Sequence, residues 1–329
     1  MEAATSPIPG SLQAMQENVV EKSAKFRSCS RHVLGIRKMK KNFLKITTLT
    51  FLLFFVAAGC KKDINVTGVK LDKKDVTLTV DAQWILTETV FPYNATNKVV
   101  SWASNNSSVA TVENGVVTAK AAGAATITVI TNDGKYTAEC EVTVILIGSE
   151  VVINGVKWAT RNVDAPGTFA ASPEDKGMFY QWNRKIGWSS TDLLINSNGG
   201  TTWDSSVPTG DSWEKSNDPC PTGWRVPTLE EQYKLVVSGS QWANVNGVNG
   251  YIFGRDDKIV FFPAVGMRSA GNGAWGYGYP SQTGYYWSSM PVMDSYEIAA
   301  YCLCFHNGRI NTNYDLLRGY GFSLRCVSE

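Results

Sequence analysis

The chain is 329 residues long, enough for two or three domains, and 43% of its residues are hydrophobic, so sizeable cores are available and disorder is not the starting expectation. Its formal charge of +2 conceals an asymmetry. Residues 1–59 hold nine of the 31 Lys/Arg and three of the 29 Asp/Glu, so from Cys60 onward 26 acidic residues outnumber 22 basic ones. A net-acidic chain with no basic stripe excludes nucleic acid as the expected partner.

The first element in chain order is a leader over 39–60. Lys40, Lys41 and Lys45 give it a basic start, and an apolar run from Ile46 to Ala58 follows, ending in small residues before Cys60. The run is about 13 residues, short of the ~20 that a mature helix needs to cross a bilayer, so it reads as a removable export signal. Residues 1–38 fit neither the leader nor a domain. The expectation is a gene-model extension with translation from Met39, which leaves Cys29 and His32 without a role. The segment Ala57-Ala58-Gly59-Cys60 resembles a bacterial lipobox, with Ala57 where Leu is usual. That resemblance implies a lipid on Cys60 and a membrane as partner. Lys61-Lys62-Asp63 resembles the charged tags of Bacteroidetes lipoproteins, implying an outer-membrane anchor with the chain exposed at the cell surface.

Residues 64–147 alternate apolar and polar positions in short bursts. Val76, Leu78 and Val80 share a face, as do Ala125, Ile127 and Val129, and Cys140, Val142 and Val144. Period two with β-branched enrichment predicts half-buried strands, and Asn114-Gly115 and Asn132-Asp133-Gly134 predict hairpin turns. About 80 residues of this kind predict an all-β sandwich. The stretches VTGVKLDKKDVTLTVD and VFPYNATNKVVSWASNNSSVATVENGVVTAKAAGAATITV resemble the bacterial Ig-like group 2 family, with Asp81 where Gly is common. The resemblance implies a spacer or adhesion module with Trp102 as its core aromatic. Cys140, in register with valines, reads as a buried free thiol.

Residues 150–329 mix strands, aromatic loops and one helix. Thr228 and Glu231 have capping-box spacing after Pro227, and Leu229, Tyr233 and Val236/Val237 make the expected buried stripe. Ile259–Phe262, Ile298–Phe305 and Phe322–Val327 read as strands, and 266–284 is a long Gly/Tyr/Trp loop. One helix on short strands predicts an α+β domain. The motifs NGVKWATRNV, GMFYQWN, CPTGWRVPTLEE, FPAVGMRSAGNG, GYYWSS and GFSLRCV resemble the Fibrobacter succinogenes major paralogous domain. That family is similar to the C-type lectin-like fold, so the resemblance implies an α+β C-type lectin-like domain behind the all-β Ig-like sandwich. It implies no activity. It does imply a disulfide between Cys220 and Cys326.

Cys302, Cys304 and His306 alternate along one strand. A fourth ligand is not evident, so neither a metal nor another cofactor is expected. His306 is the one histidine after the leader, and no nucleophile elbow, metalloprotease helix or phosphate loop occurs, so the expectation is a non-enzyme. Asp204, Asp211, Glu214 and Asp256/Asp257 are nominal glycosidase carboxylates, but no spacing singles out a pair. The Glu-Pro-Asn, Gln-Pro-Asp and Trp-Asn-Asp motifs of calcium-dependent lectins are absent, with Trp182-Asn183 followed by Arg184. What remains is aromatic stacking. Trp275, Tyr277 and Tyr279 alternate with glycines, with Arg268 and Asn272 as polar neighbours, and form the candidate ligand surface. Trp188, Trp203 and Trp213 lie in a second such stretch, whereas Trp158, Trp224 and Trp287 read as structural. The resulting expectation is a non-enzymatic envelope lipoprotein whose Ig-like spacer presents a lectin-like head to a glycan or surface protein. A structural or fimbria-associated component is the alternative, and an enzyme on a lectin-like scaffold is a third reading.

Overall fold

The computed structural model of the protein describes residues 62–276, 279–292 and 298–329, which belong to one compact unit. Cys60 and Tyr277 lie outside the described residues.

Nine strands form in the first module: β1 (Gly68–Leu71), β2 (Asp75–Thr79), β3 (Gln83–Ile85), β4 (Glu88–Phe91), β5 (Val100–Ser104), β6 (Ala110–Glu113), β7 (Val116–Ala119), β8 (Gly123–Thr131) and β9 (Thr137–Ile145). β2, β9, β8 and β5 lie side by side, and β3-β7-β6 and the pair β1–β4 make the other layers. The alternation buries the faces the sequence predicts. Val76 and Leu78, Ala125, Ile127 and Val129, and Cys140, Val142 and Val144 all enter one core, while Val80 and Trp102 pack against its margin half-buried. Asn114 and Gly115 take φ of 50° and 83° in the β6–β7 turn, the left-handed conformation their side chains tolerate best. Asp81 has φ 70°, which accounts for glycine being at home there.

The sandwich has two distinct ends. At one, Ile64 and Thr96 exchange hydrogen bonds, Val66 N donates to Asp133 Oδ2 (2.8 Å), and Asn132 N donates to Val99 O (2.8 Å), so the entering chain, the 92–99 loop and the 131–137 hairpin are tied together. At the other, Asp81 N donates to Ala119 O and Val80 N to Ile145 O, beside the exit toward the second module.

The second module contains β10 (Glu150–Ile153), β11 (Val156–Ala159), β12 (Phe179–Tyr180), β13 (Gly187–Trp188), β14 (Trp224–Arg225), α1 (Leu229–Val237), β15 (Ser240–Val245), β16 (Val248–Arg255), β17 (Lys258–Pro263), β18 (Thr283–Pro291), β19 (Ala299–His306), β20 (Arg309–Leu317) and β21 (Val327–Ser328). The antiparallel sheet β18-β19-β20 separates two cores. Alternation along β19 sends Cys302 and Cys304 into one and Leu303 and Phe305 into the other. Chain termini of the module meet in the sheet β10-β11-β21-β14. Cys220 and Cys326 form the disulfide, with Cα atoms 6.1 Å apart and a sequence separation of 106.

The helix departs from the expected stripe. Its box forms as read, Thr228 Oγ1 accepting from Glu231 N (3.2 Å) and Glu231 Oε2 accepting from Thr228 N (2.8 Å), and Arg225 clasps the same carboxylate through both Nη atoms. Yet Tyr233 and Val237 are exposed, and the buried residues are Gln232 and Leu235. The reason is polar. Gln232 Nε2 donates to Tyr286 O (3.2 Å) and Trp287 O (3.0 Å), just before the register of β18 slips, so the helix turns an amide inward to serve strand carbonyls. The expected strand at 322–327 is also mostly irregular. Phe322 and Ser323 make isolated bridges to Tyr180 and Tyr286, and only Val327–Ser328 enters a sheet.

The two modules share a sheet. Its order is β17-β16-β15-β2-β9-β8-β5, with β2 of the sandwich as the bridge. The Asn246-Gly247 turn between β15 and β16 plugs into the β2 edge. Asn246 N donates to Thr77 O (2.9 Å), its Oδ1 accepts from Thr79 N (2.9 Å), and its Nδ2 donates to Thr79 Oγ1 and Glu174 Oε1 (both 2.7 Å). Gly247 lies against the Trp84 ring. An edge strand offers unpaired backbone groups, and here the second module pairs part of them.

Candidate functional site

The aromatic loop was the sequence candidate, and the structure places its residues in different roles. Arg268 is fully buried. Its Nε donates to Ser189 O (2.7 Å), Nη1 to Gly273 O, and Nη2 to Thr191 O (2.7 Å) and Leu193 O (2.8 Å). Burial lowers its pKa from the ordinary value, while these four carbonyls receive the charge. Arg268 is therefore a tie between two loops and leaves the ligand set. Asn272 is exposed, but its Oδ1 accepts from Ala274 N (3.1 Å) and shapes a turn. Trp275 is half-buried beneath Lys176 Nζ, 5.4 Å from the ring centroid, with its indole N–H unpaired and buried. Tyr279 is 72% exposed, so among the described rings of this set it is the one that faces solvent.

The second aromatic stretch is also internal. Trp188, Trp203 and Trp213 are buried, as are Trp158 and Trp287. Three of their N–H groups fasten loops: Trp203 Nε1 donates to Ala270 O (2.9 Å), Trp213 Nε1 to Asn217 O (3.1 Å), and Trp287 Nε1 to Tyr180 O (2.8 Å). Gly273 packs so closely on the Trp203 ring that a Cβ there would lie 2.5 Å from it, so glycine permits this contact as well as the φ of 65°. Arg318 and Arg325 act like Arg268, stacking on Trp182 and Phe262 while donating to Ala299 O and to Asn162 Oδ1.

What stays open beside these rings is a polar groove of about 640 Å³ between residues 183–186 and 204–217. Its floor is Asn183, buried, with φ 53°. Asn183 Nδ2 donates to Thr209 O (2.9 Å), and its Oδ1 accepts from Glu214 N (2.8 Å) and Asn217 Nδ2 (3.3 Å), pinning both walls. Arg184 pairs with Asp204 Oδ2 and donates from Nη2 to Ser206 Oγ (2.6 Å) and Ser206 O (3.1 Å). Asp204 Oδ1 in turn accepts from Ser206 N (2.9 Å) and Oγ (2.7 Å). Lys185, Ile186, Val207 and Glu214 line the same groove exposed. Arg184 and Asp204 thus form a fixed pair, whereas Lys185 and Glu214 offer one cation and one anion beside two small apolar faces. That surface suits a polyhydroxylated or peptide chain. The sequence marks this stretch for its tryptophans and for the carboxylates Asp204, Asp211 and Glu214, and of these Asp204 and Glu214 line the groove.

The thiols are set apart from the groove. Burial raises Cys140 and Cys304 to about 11 and pushes Cys302 well above its ordinary value. Thiolate is the nucleophilic form, and burial disfavours it at all three sulfurs. His306 is exposed, bonding Asn307 O rather than either thiol. Among the described residues no group of three or more His, Cys, Asp and Glu is placed to hold a metal.

Comparison with known proteins bears on the first module. An uncharacterized Clostridium acetobutylicum protein is 34% identical over 128 residues, covering 35% of this chain and 13% of its own length. An Ig-like virion protein of Serratia phage KSP90 is 45% identical over 83 residues, 25% of this chain and 32% of the relative. A minor capsid protein of Enterobacteria phage T3 is 45% identical over 78 residues, 24% and 18%. The chain spans between 13% and 32% of the length of these relatives. The S-layer protein SbsC shares 19% identity over 38% of this chain and 19% of its own, at a TM-score of 0.24, too slight a likeness to carry the fold. Residues 65–142 match the bacterial Ig-like domain (group 2), and that stretch of the chain is an Ig-like domain.

Proposed function

We propose that this chain is a non-enzymatic envelope lipoprotein, anchored through Cys60, whose Ig-like domain holds out an adhesive head. The head, residues 150–329, is read as a C-type lectin-like domain of the Fibrobacter succinogenes major paralogous type. Its ligand is a glycan or a surface protein. The observation that carries the reading is the groove beside Asn183. It is an open polar surface, and the buried Asn183 side chain holds both of its walls in place. A preformed polar groove binds without a large ordering cost. The Ig-like relatives in phage particles, a virion protein and a minor capsid protein, support a display role for the first module.

The test is a glycan array and a surface-protein pulldown with the full chain. Lys185→Ala and Glu214→Ala are expected to weaken capture at least tenfold without moving the melting temperature, and Tyr279→Ala to weaken it less. Capture unchanged in both groove variants would remove the groove as the site. Mass spectrometry of the membrane-extracted chain, expected to show a diacylglyceryl group on an amino-terminal Cys60, tests the anchor separately.

A further inference from the structure

We propose that the entry end of the Ig-like domain rests on the lipid surface, with Tyr93, Val99 and Tyr136 immersed in the headgroup layer. The inference depends on the anchor at Cys60 proposed above. Ile64 is already fastened to Thr96, so three residues, four steps of chain, separate the lipidated position from the fold. Four extended steps reach ~13–14 Å at most. The headgroup region outside the hydrocarbon is ~5–8 Å deep on each side, so the tether has little length left once it clears that layer. The end of the sandwich therefore lies against the bilayer.

That end has the composition for it. Tyr93 is 76% exposed, Val99 58% and Tyr136 41%, so all three side chains are free to enter an adjoining surface. All three lie on the two loops that are hydrogen-bonded around the entering chain. Exposed Lys62, Lys98 and Lys135 stand among them, against Asp63 and a half-buried Asp133 that is engaged with Val66 N. Tyrosines with an apolar body and a polar tip, flanked by lysines that reach phosphate, are the side chains that settle at a membrane interface. The opposite end leads to the second module.

The full chain, purified in its acylated form, is placed in phosphatidylethanolamine vesicles with and without phosphatidylglycerol. An environment-sensitive fluorophore is attached at Tyr93→Cys, at Tyr136→Cys, or at Leu146→Cys on the far end, with the parent chain reporting labelling of its own thiols. The expected result is a blue shift and quenching by spin-labelled lipid at positions 93 and 136, several-fold stronger than at 146. Phosphatidylglycerol should strengthen the effect through the lysines. An acylated chain with equal, weak quenching at all three positions overturns the docking and leaves the anchor standing. A chain without the acyl group overturns the anchor and the docking with it.

Discussion

Replacing Arg268 by Met separates a scaffold from a ligand contact. Met keeps the length and packing of the side chain and removes every donor. Four carbonyls, of Ser189, Thr191, Leu193 and Gly273, then lose a charged partner in or near the interior. A hydrogen bond from a charged group contributes ~1.5–3 kcal/mol net, and an orphaned buried acceptor costs ~1–3 kcal/mol, while relief from burying the guanidinium offsets part of the loss. Carbonyls near the loop surface recover water, so the net cost is about 3–5 kcal/mol. In a unit of this size that lowers the melting temperature by roughly 5–9 °C. Differential scanning calorimetry of the parent and Arg268→Met chains measures the shift, and titration with a ligand found on the array shows whether affinity follows. An unchanged melting temperature with lost binding would refute the scaffold role and return Arg268 to the ligand surface.

Three further outcomes are expected. Reducing Cys220–Cys326, or replacing both by Ser, frees a loop of about 100 residues, so chemical denaturation should show a loss approaching ~4–5 kcal/mol in the chain-entropy account. Asn246→Ala removes three side-chain hydrogen bonds, two of them to Thr79 across the shared sheet and worth about 1 kcal/mol each, and calorimetry should resolve the unfolding of the two modules into separate transitions. Burial alone would raise the Glu231 carboxyl, yet the Arg225 and Thr228 bonds outweigh it and hold the pKa below its ordinary value. That contribution is present above the ordinary carboxylate pKa and fades as pH falls through the depressed one. Glu231→Gln should flatten the acid limb of a stability–pH curve, and an unaltered limb would contradict the assignment.

The sequence carried the elements whose signals are local. Period-two bursts, Asn-Gly turns and the Thr228/Glu231 box all appear where the spacing puts them, because each is decided within a few residues. The Cys220–Cys326 bridge came through resemblance, since connectivity has no local signal. Arg268 was misread because a guanidinium in a glycine-rich loop resembles a surface group, and three of its partners lie 75 to 79 residues away. The face of α1 was misread for a similar reason. Hydrophobic spacing counts Tyr233 as inward and Gln232 as outward, but the strand carbonyls across the core reverse that order. The groove has no motif, since it exists only once Asn183 brings two segments together.

The shared sheet matters most where many copies of the chain stand close together on one surface. A strand edge is a place where neighbours can zip onto one another and harden into fibres. Here the competitor for that edge is the 240–248 hairpin of the same polypeptide, held nearby at an effective concentration no neighbour matches. Crowding alone therefore does not trade the internal partner of β2 for an external one.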